Sequence, residues 1–215
     1  MTASIASSDG LRLVIDSASE ACSVALFDGA RLLDFRHDLI GRGHAERLVP
    51  LIAELAGGGR ADAIFVGCGP GSFAGVRIGV AAARALSIGW RAPAFGFSTL
   101  ALVAAGAADD IAAAGGGLIV VEGGHGQWFV QPFAADLTPR ADVRSLLPDE
   151  AVLLDAALVV GNRAEAFVVR RGSGTALAML PDARAFPHLP ATVLFADPSP
   201  NYGRAPDAKP MATPA

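Results

Sequence analysis

The stretch that decides the fold is Cys68-Gly69-Pro70-Gly71-Ser72-Phe73-Ala74-Gly75-Val76-Arg77-Ile78-Gly79. It follows an apolar run, residues 63–66, that is typical of a buried strand. Glycine and proline at 69–71 end this strand, and Ser72 is a suitable N-cap for a helix. The residues from there to Trp90 favour a helix, because alanine, arginine and leucine dominate and proline is absent. The stretch therefore predicts a strand, a glycine turn and a long helix.

The glycine turn could hold an anion, because a helix N-terminus offers free N–H groups and partial positive charge. Together with the end of the first predicted strand, it supplies four candidate nucleotide-binding residues: Asp16, Ser17, Gly71 and Ser72. The match to known phosphate loops is incomplete. The Gly-Lys-Ser/Thr ending of a Walker loop is missing, and the glycine spacing differs by one from the dinucleotide-binding pattern.

Small residues form a regular pattern in the helix after the turn. Gly75, Gly79 and Ala83 recur every four residues, so they share one helical face. A face without bulky side chains lets another backbone approach closely. The pattern has two interpretations, which are tight packing inside the fold and docking of a second protein chain.

A second helix is predicted over residues 44–56, where Leu48, Ile52 and Leu55 form an apolar stripe. Leu51 lies off this stripe and widens it. The extra width indicates two buried faces, one toward a sheet and one toward something else. The alternative is that Leu51 is a single exposed apolar residue, which is common in proteins.

Composition restricts the class of protein. The formal charge is -4, which gives no electrostatic reason to expect direct nucleic-acid binding. The two cysteines, Cys22 and Cys68, have neither a metal-ligand spacing nor a disulfide framework, and we expect both to be buried thiols. The first ten residues lack a signal-peptide pattern, and no uninterrupted apolar stretch reaches membrane-spanning length. We therefore expect a cytoplasmic protein.

The order of predicted elements indicates two related halves. A three-stranded meander over residues 11–36, with a hairpin at Asp28-Gly29, is followed by helix, strand, helix, strand and helix. Two strands around a glycine turn then begin at Leu118 and echo the opening of the chain. The glycine- and alanine-rich segment 112–117 is the best candidate for a join. We expect a first lobe at 1–110 and a reduced second lobe with a tail at 111–215.

Several segments closely resemble the TsaB family, whose signature is Gly-Pro-Gly-Ser-Phe-Thr-Gly-Leu/Val-Arg-Ile-Gly. The similarity lies in residues 16–26, 44–48, 69–79 and 96–100, and in the C-terminal Tyr202, Arg204, Ala205, Pro206 and Lys209. This resemblance implies an α/β protein with the two-lobed actin-like (ASKHA, ribonuclease H-like) fold, which has mixed sheets and flanking helices. The chain departs from the signature at Ala74, where threonine is usual, and over residues 122–129.

The resemblance also implies a function. TsaB is a non-catalytic subunit of the bacterial machinery that forms threonylcarbamoyladenosine next to the anticodon of certain tRNAs. It pairs with its paralogue TsaD, or with itself as a homodimer, through two helices that correspond to about 44–56 and 72–90. TsaE joins the complex, and the chain is expected to contact tRNA only through this complex. ATP and a metal are expected on the partner subunits. The candidate partner-binding residues on these helices are Leu48, Leu51, Ile52, Leu55, Phe73, Gly75, Val76, Gly79 and Ala83.

Enzymatic alternatives depend on few residues. The catalytic paralogue binds its metal through His-x-x-x-His on one helix, whereas the corresponding helix here has His44 followed at the fourth position by Leu48, which cannot ligate. We therefore predict no metal site and no catalytic residue in this chain. Asp16 either accepts turn hydrogen bonds or acts through magnesium near phosphate. The second role would make the chain a nucleotide-dependent transferase or kinase-like enzyme, and a protease of the same fold is a third hypothesis.

Overall fold

The strands form two mixed β-sheets within residues 10–203, the part of the chain that the computed structural model describes. In chain order the strands are β1 (Leu11–Asp16), β2 (Ala21–Asp28), β3 (Arg31–Leu39), β4 (Ala63–Gly67), β5 (Ala94–Phe97), β6 (Gly116–Gly124), β7 (Gln127–Ala134), β8 (Arg144–Leu146), β9 (Leu158–Val160), β10 (Thr175–Leu177) and β11 (Phe195–Ala196). The helices are α1 (His44–Ala53), α2 (Phe73–Trp90), α3 (Thr99–Gly106), α4 (Ala108–Ala113), α5 (Pro148–Ala151) and α6 (Ala164–Arg171). Short 3₁₀ helices lie at Ala56–Gly59, Ala183–His188 and Ala191–Val193.

The two sheets share a topology. The first has the order β11-β5-β4-β1-β2-β3, and the second has the order β10-β9-β6-β7-β8. In each, an antiparallel meander (β1-β2-β3 or β6-β7-β8) is extended by parallel strands beside its first member. This repeat confirms the predicted two-lobed actin-like α/β fold with flanking helices.

Helices cover both faces of the first sheet. Helix α1 contacts β2 and α2, and α2 lies on β4 and β1. Helix α3 contacts β6 and the 3₁₀ turn 183–188, and its residues Thr99 to Ala105 are all buried. A helix that is apolar on every side belongs in an interior, so α3 joins the cores of the two lobes. No helix within residues 10–203 is long and apolar enough to cross a membrane.

The C-terminal part of the chain returns to the first lobe. The turn 183–188 places Phe186 against Phe65, with ring centroids 4.6 Å apart, and β11 pairs with β5. Strand β11 therefore belongs to the first sheet, although it lies in the segment 111–215 that we expect to form the second lobe. The expected join at 112–117 comprises the end of α4 and the start of β6, the first strand of the second sheet in chain order. Four of the C-terminal residues that resemble the TsaB family lie outside the described residues: Arg204, Ala205, Pro206 and Lys209.

Candidate functional site

The glycine turn forms as its sequence predicts. Ser72 is the N-cap of α2, and its hydroxyl accepts a hydrogen bond from the backbone N–H of Gly75 at 3.3 Å. The backbone N–H of Ser72 in turn donates to the carbonyl of Ala18 at 2.7 Å. The start of α2 is therefore tied directly to the turn between β1 and β2.

The glycines of the motif face that same turn. A side chain on Gly71 would overlap the carbonyl of Ala18, and one on Gly75 would overlap the carbonyl of Ser17. The Ser17 hydroxyl donates to the carbonyl of Gly75 at 2.9 Å, and a Cβ on Gly79 would lie 2.6 Å from this hydroxyl oxygen. The small-residue face therefore packs inside the fold, and its interpretation as a docking face for a second chain is wrong.

Most of the predicted partner-binding side chains are also in the interior. Phe73 is 55% exposed. The eight others are buried within the monomer: Leu48, Leu51, Ile52, Leu55, Gly75, Val76, Gly79 and Ala83. Leu51 is neither exposed nor directed to another chain. It lies in the core beneath α1 because this helix packs against both β2 and α2, which accounts for the wide apolar stripe.

A different set of residues on the same two helices reaches the surface. On α2 the small or apolar positions recur at helical spacing, so they form one stripe. We call this surface the outer face, and it comprises Val49, Pro50 and Ala53 on α1 and Ala74, Ile78, Ala81, Ala85 and Ile88 on α2. Val49 is 55% exposed and Ile88 is 81% exposed, whereas Ile78 is half-buried. Sequence reasoning missed this face because alanine gives little hydrophobic signal.

Asp16 lies beneath the glycine turn with 1% exposure. One carboxylate oxygen accepts from the backbone N–H of Ala18 at 3.0 Å, and the other accepts from the hydroxyl of Thr99 at 2.8 Å. Burial, which disfavours the charged form, raises the pKa of this carboxyl to about 6 against the lowering effect of both hydrogen bonds. The turn hydrogen bond that the sequence predicts is confirmed. Each carboxylate oxygen of Asp16 thus accepts one hydrogen bond within the fold.

A cleft of about 440 Å³ lies between the lobes. Its first-lobe wall comes from residues 18–20 and 70–73, and its second-lobe wall comes from residues 121–125 and 162–163. Glu122 and Arg163 form an ion pair there, and the backbone N–H of Glu122 donates to Asn162 at 2.9 Å. Of the four candidate nucleotide-binding residues, Gly71 and Ser72 line this cleft, whereas Asp16 and Ser17 are buried and do not line it.

The histidines and cysteines are distributed without a metal-binding arrangement in the described part of the chain. His44 is buried, and its Nε2 lies 3.4 Å from the carbonyl of Ala21. No group of three or more His, Cys, Asp or Glu side chains in residues 10–203 could hold a metal ion. Cys22 and Cys68 are free and buried, as predicted, and burial raises the pKa of each thiol to about 12.

The C-terminal segment contributes an aromatic cluster at the mouth of the cleft. The Nε of Arg77 donates to the hydroxyl of Tyr202 at 2.8 Å, and its guanidinium carbon lies 3.8 Å from the ring centroid of Phe73. The Phe73 and Tyr202 centroids are 5.0 Å apart. Tyr202 belongs to the family resemblance, but its contact with α2 joins residues 125 positions apart, which no local pattern reveals.

Known proteins match both the sequence and the structure. A family model described as "TsaD: tRNA N6-adenosine threonylcarbamoyltransferase" matches residues 38–152. The tRNA threonylcarbamoyladenosine biosynthesis protein TsaB of Escherichia coli (strain K12) is 41% identical over 100 residues, which are 44% of this chain and 43% of that protein. TsaB of Haemophilus influenzae is 39% identical over 100 residues, again 44% of this chain and 42% of that protein.

The structural similarity extends further than the sequence match. The structure of YeaZ from Pseudomonas aeruginosa has a TM-score of 0.70 and 30% sequence identity, and the similarity covers 83% of this chain and 89% of that chain. The sequence match spans less than half the length of the two TsaB relatives. From the matched family model, the TsaB relatives and this structural likeness, we conclude that the chain belongs to the TsaB/YeaZ family.

Proposed function

We propose that this chain is a non-catalytic scaffold subunit of the cytoplasmic machinery that forms N6-threonylcarbamoyladenosine in tRNA, and that it binds a TsaD-type partner. The TsaB relatives named for this biosynthesis support the process. The observation that carries the scaffold role is the exposed outer face on α1 and α2. Most of this face is exposed to solvent, and its stripe on α2 contains no charged residue.

The chemistry of the outer face suits another helix. Alanines at 74, 81 and 85 permit close approach of a second backbone, while Val49 and Ile88 supply exposed apolar area. Contiguous exposed apolar surface on a soluble protein commonly marks an interaction site. In this proposal TsaD occupies the outer face, and in isolation a second copy of the chain occupies it as a homodimer. TsaE then joins the pair, and tRNA is reached only through the complex.

The proposal leaves ATP and the metal to the partner subunits. Asp16 accepts hydrogen bonds from Ala18 and Thr99, and the Ser17 hydroxyl donates to the Gly75 carbonyl in α2. These contacts support a chain that requires no cofactor of its own. They also argue against the nucleotide-dependent enzyme, which needs Asp16 to act through magnesium.

Ala85→Glu is expected to weaken binding of purified TsaD at least about 100-fold, because it places an unpaired charge at the centre of an apolar contact. Isothermal titration calorimetry with TsaD from the same organism measures this change. Formation of threonylcarbamoyladenosine by the reconstituted subunits should fall in parallel.

Ala166→Glu is the matched control, because Ala166 is an exposed alanine on α6 of the second lobe. It should bind TsaD like the wild type. Both variants should keep the wild-type melting temperature. Wild-type affinity in Ala85→Glu would rule out the outer face as the TsaD site.

A further inference from the structure

The end of the described chain crosses from the first lobe to the second. After β11 pairs with β5 at the edge of the first sheet, the backbone N–H of Asn201 donates to the carbonyl of Cys68 at 2.7 Å. The chain then passes the start of α2 and reaches the mouth of the cleft, which Tyr202 lines. We call residues 197–203 the strap.

Three first-lobe groups anchor the strap along one side of α2. Arg84 approaches Asp197 at 3.6 Å, and this pair is well exposed to solvent. Arg77 donates to the hydroxyl of Tyr202, and the Phe73 ring contacts the Tyr202 ring at a tilt of 33°. Tyr202 is therefore the residue of the strap with the most contacts to α2. It has a hydrogen bond and a ring contact, and the Arg77 guanidinium carbon lies 5.4 Å from its ring centroid.

Gly203 places the strap between the lobes. Its φ of 65° is one that side chains disfavour. A Cβ at this position would lie 2.7 Å from the ring of Phe129 in β7 and 2.7 Å from Pro70 in the glycine turn. The backbone of Gly203 thus fills the gap between a second-lobe residue and a first-lobe residue, and glycine is the residue that fits there.

We propose that the strap is a clasp that fixes the separation of the two lobes and closes one end of the cleft. Tyr202 anchors the strap, because its contacts with α2 hold Gly203 between Phe129 and Pro70. Release of Tyr202 from Arg77 and Phe73 lets the lobes hinge open at this end of the cleft, while the core around α3 keeps them joined. This device is independent of which protein binds the outer face.

The test measures the distance between the lobes with the full chain in solution. Arg31→Cys in the first lobe and Val169→Cys in the second are exposed positions for spin labels, while Cys22 and Cys68 are buried. Double electron–electron resonance should give a narrow distance distribution in the labelled wild type. Tyr202→Ala should widen it at least about twofold, because the lobes sample open arrangements, and Tyr202→Phe should change it less, because the ring contact remains.

Hydrogen exchange of the Asn201 amide reports release of the strap directly, because this N–H bonds to Cys68. The proposal predicts faster exchange together with the wider distribution in Tyr202→Ala. Faster exchange with an unchanged distribution would show that the strap does not set the lobe separation. Unchanged exchange would show that Tyr202 does not anchor the strap. Each of these two results overturns the proposal. Leu153→Ala, an exposed apolar position in the second lobe that is 84% exposed, is the control and should match the wild type in both measurements.

Discussion

Gly75→Ala is expected to lower the free energy of unfolding by about 3 kcal/mol or more, although alanine is the better helix former. The added methyl group would overlap the backbone carbonyl of Ser17. That carbonyl belongs to the turn between β1 and β2, so relief of the overlap requires α2 to move away from the sheet. Urea denaturation followed by circular dichroism measures the loss.

Gly89→Ala provides the matched control, because it is the same substitution in the same helix. Nothing lies within 4 Å of a Cβ on Gly89, and this residue is exposed. Here alanine should stabilise the protein by up to about 1 kcal/mol through helix propensity alone. Equal stability of the two variants would contradict the close approach of α2 to the turn.

Asp16→Asn is expected to stabilise the protein near neutral pH by as much as about 3 kcal/mol, which is the cost of a rise in pKa from 3.8 to about 6. An asparagine has nearly the same shape. Its oxygen can accept from Ala18, and its amide can donate to the hydroxyl of Thr99. The substitution therefore removes the buried charge, keeps the bond from Ala18 and replaces the bond from Thr99 by one of opposite direction.

The pH dependence follows from the direction of the pKa shift. The native state binds the Asp16 proton more tightly than the unfolded chain does, so protonation stabilises the fold. This contribution is fully present below about pH 4 and is lost as the pH rises through about 6. The difference in unfolding free energy between wild type and Asp16→Asn should therefore shrink as the pH falls from about 7 to about 4.

Denaturant titrations of both proteins across this pH range provide the measurement. A less stable Asp16→Asn at neutral pH would show that the fold stabilises the carboxylate rather than penalising it. The same variant separates the functional hypotheses. The scaffold hypothesis predicts that Asp16→Asn binds TsaD normally, whereas a nucleotide-dependent enzyme would need Asp16 for magnesium-dependent ATP turnover.

Local elements were predictable where a short segment contains its own signals. The strand β1 occupies Leu11–Asp16 and the helix α2 ends at Trp90, both as predicted. An apolar run, a serine N-cap and an alanine-rich sequence act within a few residues of one another. The helix from His44 is shorter than predicted and ends at Ala53, because Leu55 has an extended backbone and the glycines at 57 and 58 have left-handed backbone angles.

The candidate site was only partly predictable. Periodicity showed correctly that Gly75, Gly79 and Ala83 share a face, but not that the turn containing Ser17 covers it. The same limit applies to Leu51, whose burial depends on where α1 lies relative to β2 and α2. In both cases the covering surface comes from a distant part of the chain, and a local pattern contains no information about its position.

By itself, the sequence determined the principal strands and helices of the first lobe, the two strands that echo the opening meander and the resemblance to the TsaB family. The tertiary structure alone decided which helical faces lose contact with water, and it assigned the exposed role to Ala81 and Ala85 rather than to Gly75 and Gly79. It also brought Tyr202 to Arg77. The physical reason is that helical spacing fixes which residues point the same way, whereas burial depends on the shape of everything that packs against them.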